Sequence, residues 1–169
     1  AIGQACLQNL TTASNNTFVG QSSGYSVTTG EYNTAVGRDA LSSNTTAGFN
    51  TAVGARSADA VTTGIENVAV GIDALTDCTT GQGNTCLGRV AGANITTGDY
   101  HTAVGHNALF NATDGNFNTA VGRNAGFDIT TGGNNLLLGQ SAGRSNSNCT
   151  NLTACLVFAP KIPSTFPTS

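Results

Sequence analysis

The chain has 169 residues, the length of one domain, and 38% of them are hydrophobic, so it can bury a core. Charged residues make up only 9% and the net charge is −3, with the arginines scattered and Lys161 alone, which argues against a phosphate-binding surface and hence against nucleic-acid partners. No apolar run reaches the roughly 18 residues of a membrane span, so no membrane insertion is expected.

Taken in order, the chain is one unit repeated. Glycines fall at 3, 20, 37, 54, 71, 88, 105, 122 and 139, every interval being 17 residues. Before them stands the word Asn33-Thr34-Ala35-Val36-Gly37, repeated at Asn50–Gly54 and Asn118–Gly122 and, more loosely, at Asn67–Gly71, Asn84–Gly88 and His101–Gly105. A fixed short period without insertions means stacked, nearly identical units. Each unit holds a β-prone Thr-x-Val run and a second β-prone pair in the Thr-Thr-Gly turns, as at Thr28-Thr29-Gly30 and Thr96-Thr97-Gly98. The expected fold is all-β, a parallel β-solenoid (β-roll) of about nine coils of 17 residues with two short strands per coil. It covers residues 1–156, and residues 157–169, rich in proline, form a C-terminal cap or extended linker.

Columns read across the repeats assign the faces. The residue before each glycine is aliphatic throughout (Ile2, Val19, Val36, Val53, Val70, Leu87, Val104, Val121, Leu138, with Cys155 in the same phase) and is expected to point inward. Alternation then turns the Thr column inward and the Ala and Asn columns outward. Three residues after the glycine only small side chains occur, from Cys6 and Ser23 to Ala142, suiting a tight inner corner. Four and seven residues after it, Leu41, Leu75 and Leu109 go with Asn44, Cys78 and Ala112, whereas Gly24, Ala58, Gly92 and Gly126 go with Val27, Val61, Ile95 and Ile129. Large with small at two sites is volume compensation inside a shared core.

The Asn-Thr-Ala-Val-Gly-x-x-Ala word resembles the head repeats of trimeric autotransporter adhesins, and similar repeats occur in phage tail-fibre proteins. The resemblance implies a left-handed parallel β-roll, usually trimeric, exposed outside the cell and used in attachment.

Candidate sites follow from the same assignment. The outward Ala column (Phe18, Ala35, Ala52, Ala69, Cys86, Ala103, Ala120, Leu137) forms an apolar stripe, a candidate subunit interface. Sequons at Asn9, Asn15, Asn44, Asn94, Asn111, Asn148 and Asn151 are candidate glycosylation sites. Cys149 with Cys155 and Cys78 with Cys86 are candidate disulfides, leaving Cys6 over. His101 and His106 flank one rung without a third ligand, Asp39 and Asp73 lie two coils apart, and no catalytic, metal or cofactor site is expected. Ice binding would need a flat outward Thr face, and the Thr column is assigned inward. The expected function is therefore an extracellular structural fibre or filament subunit, not an enzyme, at the cell surface or beyond it. It would assemble with itself through the solenoid ends and the Ala stripe. The alternative is an adhesin head, with host or surface glycans as partners.

Overall fold

The computed structural model describes residues 1–144 and the short strand at 155–156. Nine strands of two or three residues, one per coil, form a single parallel sheet in sequential order: β1 Thr17–Val19, β2 Thr34–Val36, β3 Thr51–Val53, β4 Val68–Val70, β5 Thr85–Leu87, β6 Thr102–Val104, β7 Thr119–Val121, β8 Leu136–Leu138 and β9 Cys155–Leu156. Pairing from β1 to β8 never slips, so Thr34 faces Thr51, Ala35 faces Ala52 and Val36 faces Val53. Ile2 continues the ladder by a bridge to Val19. The fold is a parallel β-solenoid with a 17-residue coil.

Two expectations change. Each coil has one strand, not two. The opposite side is built from residues in the left-handed region, two and four places after each glycine, for example Asp39 (φ 59°) with Leu41 (φ 50°) and Asp73 (φ 56°) with Leu75 (φ 54°). Their amides alternate in direction: Asp39 donates back to Gln21 of the preceding coil, and Leu41 donates forward to Ser57 of the following one. This side is hydrogen-bonded between coils as fully as the strands are, by a backbone that is not β. The second change is at β9, where Leu156, not Cys155, pairs with Leu138, so the last interval is 18 residues and Cys155 takes the register of the Ala column.

The repeat glycine is required by contact as much as by conformation. At Gly71 φ is 137°, and a Cβ there would lie 2.5 Å from the carbonyl oxygen of Gly88. The same clash recurs at every repeat glycine from Gly3 to Gly122, because each coil turns directly over the next.

The core inverts the expected faces. Ala35, Ala52, Ala69, Ala103 and Ala120 are fully buried, as are Phe18, Cys86 and Leu137 in the same column, whereas Val36, Val53, Val70 and Val121 are 37–38% exposed. The strand side of the coil is narrow, so the inward column is held to alanine unless room is made for more. Phe18 fits because Gly24 lies against its ring, Cys86 because Gly92 lies against its sulfur, and Leu137 because Gly143 does the same. The compensation expected between the residues four and seven places after the glycine is present, since Leu41 with Asn44, Leu75 with Cys78 and Val61 with Ala58 all lie in the core. It extends to a third column, the inward Ala column of the strands, where Phe18, Cys86 and Leu137 stand against Gly24, Gly92 and Gly143.

Candidate interaction surface

The Asn column is interior and structural. Asn33, Asn50, Asn67, Asn84 and Asn118 are buried, and each carries out the same two tasks. The Asn50 side-chain carbonyl accepts from the backbone amide of Asn67 in the next coil at 2.9 Å, and its Nδ2 donates across its own coil to the carbonyl of Gly64 at 2.9 Å. The ladder therefore ties side chain to backbone rather than amide to amide. Amide pairs do occur, as between Asn135 and Asn118, Asn94 and Asn111, and Asn107 and Asn124.

One histidine stands in this column. His101 is buried; its Nδ1 accepts from the Asn118 amide at 3.2 Å, and Nε2 is left without a full hydrogen bond. The carbonyl of Gly115, the counterpart of the acceptor used by the asparagines, lies on that side and favours the protonated ring, but the geometry falls short of a bond. Burial pushes its pKa below the ordinary value of 6.5, so the ring is neutral. His106 is on the outer side of the same coil, 3.2 Å from Arg89, so the two histidines do not converge. Asp39 pairs with Arg38 and Asp73 with Arg56. Among the described residues no group of three metal-ligating side chains comes together.

The remaining candidates separate by burial. The Ala stripe cannot be a contact surface, because all eight of its members lie inside the coil. Asn44 is fully buried and cannot carry a glycan. Asn9 and Asn15 are exposed, while Asn94 and Asn111 are half-buried and bonded to each other. Asn148 and Asn151 lie outside the described residues. Cys78 and Cys86 are both free and buried, not bridged, and burial raises the Cys78 thiol to about 12 and that of Cys86 higher still. Such thiols are inert. Cys6 is also free; Cys149 and the side chain of Cys155 lie outside the described residues.

What the coil turns outward is the strand face: the Thr column (Thr17, Thr34, Thr51, Thr85, Thr102, Thr119, with Val68 and Leu136) beside the Val column. Neither column holds a charged residue. The next column outward carries Arg38, Arg89 and Arg123. On another corner the left-handed residues Tyr32 and Phe49, and again Tyr100 and Phe117, stack with ring centroids 5.1 and 5.4 Å apart. Tyr32 and Phe49 line a shallow hollow of about 330 Å³ with Thr29, Glu31, Thr46, Gly48 and Ile65. One face of each ring is spent on its neighbour.

Sequence reasoning missed the strand face because it assigned by hydrophobicity. The available signal was the inward column's own exceptions, Phe18, Cys86 and Leu137, each followed six residues later by Gly24, Gly92 or Gly143. Comparison of the chain with protein-family models, with curated proteins and with solved structures gives no match.

Proposed function

We propose that the protein is a non-catalytic structural rod of the cell exterior, a fibre subunit whose copies extend one another's stack. The observation that carries this is the uniformity of the coil-to-coil ladder. The amide of the first strand residue (Thr, or Val68 in β4) donates to the carbonyl of the residue before the next strand (Asn, or His101 before β6) at 2.7–2.8 Å in every coil from Thr17 to Thr119. A coil that presents the same donors and acceptors above and below is complementary to any other coil, in its own chain or in another copy. Such a heterologous contact does not close, and it grows filaments. The Ala stripe has no part in this assembly, being core. Low charge with abundant Asn, Thr and Ser suits an extracellular surface, and the exposed Asn9 and Asn15 are the sequons best placed to carry glycans.

Negative-stain electron microscopy of the purified chain is expected to show rods that lengthen with concentration; discrete particles of one coil stack at all concentrations would overturn the fibre. Glycosidase treatment is expected to lower the intact mass of material from a eukaryotic source. The adhesin reading, suggested by the likeness to autotransporter heads, is favoured by one feature, the regular uncharged outward strand face, which suits attachment to an extended surface.

A further inference from the structure

The chain has two threonine ladders, and they are in opposite states. In the ladder eight residues after the glycine, each hydroxyl donates to the threonine carbonyl of the next coil: Thr28 to Thr45, Thr45 to Thr62, Thr62 to Thr79, Thr79 to Thr96, at 3.1–3.3 Å. On the strand face, the hydroxyls of Thr34, Thr51, Thr85, Thr102 and Thr119 make no bond to any described residue, and they stand on a side exposed to water. A hydroxyl left free can take up to three hydrogen bonds from solvent.

These free hydroxyls form a lattice. Along the stack they repeat at the parallel-strand spacing of about 4.8 Å in two runs, Thr34 to Thr51 and Thr85 to Thr119, separated by Val68, and across each strand the Val methyls lie about 6.6 Å from the Thr position, two residues on. Successive coils pair residue for residue, so like side chains stand over like side chains along the face. The face is thus a regular array of hydroxyl and methyl groups, constant in register through eight strands and free of charge, with Val68 and Leu136 standing in the hydroxyl row.

We propose that this face binds ice. The prism plane of ice repeats in two directions at spacings of the same order, so hydroxyls on one row can occupy oxygen positions of the lattice. Methyl rows hold the intervening waters in ordered cages, since apolar groups restrict the orientation of first-shell water. Charged side chains would break that order by binding water too tightly, and the two columns have none.

A second copy of the chain fits less well. The face is about 40 Å by 10 Å by strand spacing, near 400 Å². Each partner in a standard stable interface contributes about 800 Å². Half of the columns here are hydroxyls, which a protein partner would have to satisfy without any matching donor array.

The test uses the fluorescently labelled full chain and a slowly growing ice hemisphere. The wild type is expected to be drawn into the ice and to shape single crystals. Thr85→Tyr, which lifts a ring out of the plane of the face, is expected to lose both effects. Thr63→Tyr, the same change at an exposed threonine off this face, is expected to keep them. Circular dichroism confirms that each variant folds, and Thr51→Tyr serves if Thr85→Tyr does not. Exclusion of the wild type from ice, to the level of an inert soluble protein, overturns the proposal. So does uptake of Thr85→Tyr equal to wild type, or sedimentation showing paired wild type and monomeric Thr85→Tyr, which would mean that a second copy covers the face. The filament can fail, by giving no rods in the microscope, without touching this result.

Discussion

The two sides of each coil solve the same problem with different backbones. On the strand side, three residues in β conformation place one small side chain inward and two outward, so the interior there is alanine over most of the stack. On the opposite side, left-handed residues such as Leu41, Leu75 and Leu109 point large side chains inward at a backbone cost of about 1–2 kcal/mol each. The difference shows where the stack gets its hydrophobic stabilisation. Leucine, isoleucine and valine of the non-strand side fill the rod, and the strand side supplies registry and a surface.

The corner joining the two sides tolerates least. Gly71→Ala would press a Cβ into the Gly88 carbonyl in a conformation only glycine adopts readily, and neither coil can retreat without breaking its ladder. A loss of about 4 kcal/mol or more is expected, read as a collapse of the denaturation midpoint. An unchanged midpoint would mean that the coils are further apart than described.

Next in size is a swap between the two sides. Ala69→Leu overfills the strand side and should cost about 1–3 kcal/mol. Leu75→Gly opens a cavity opposite and should cost about 2–4 kcal/mol after relief of the left-handed strain. Together they recreate the arrangement of Leu137 over Gly143, so the double variant is expected to be more stable than the two losses added together by about 1–3 kcal/mol. Simple additivity would show that the two columns do not share volume.

The period, the coil length and the solenoid were legible because they are written as repetition, which survives any error about faces. The faces were not, since Val is more hydrophobic than Ala and the assignment followed hydrophobicity. In a coil this thin, space decides instead. The left-handed side was harder to read for another reason: Leu41 and Leu75 are not residues that favour that conformation, and the hints are Gly24, Gly92, Gly126 and Gly143 in their column and Asp39, Asp73, Asn107 and Asn124 two places before it. The Asn column gave its regularity but not its burial. The strand face follows from a single parity: with the Ala column inward, the Thr and Val columns on either side of it face outward.

His101 is the ladder's odd member and offers a smaller test. Asparagine there would complete the hydrogen bond to the Gly115 carbonyl that the ring Nε2–H does not make, a gain of about 1 kcal/mol at neutral pH. Because the folded pKa of His101 lies below 6.5, the unfolded chain binds the proton first, so its contribution is fully present above pH 6.5 and is lost as pH falls below it. Asp59 acts with the opposite sign. Burial raises it from 3.8 to about 6, so the stability it contributes is full below pH 3.8 and is lost as pH rises to about 6. His101→Asn in an Asp59→Asn background is therefore expected to flatten the acid limb seen with Asp59→Asn alone. A limb that stays would place the titrating group elsewhere.

The smallest effect distinguishes the two threonine ladders. Thr62→Val removes a hydroxyl that bonds to the Thr79 carbonyl, and should cost about 1 kcal/mol. Thr51→Val removes one with no protein partner from a strand position where valine is already accepted at Val68, and should change stability by no more than about 0.5 kcal/mol in either direction. Equal losses would mean that the strand-face hydroxyls are spent on the fold. A loss only at Thr62 leaves the Thr51 hydroxyl without a structural task, so any effect of Thr51→Val on what the rod touches is then free of a stability cost.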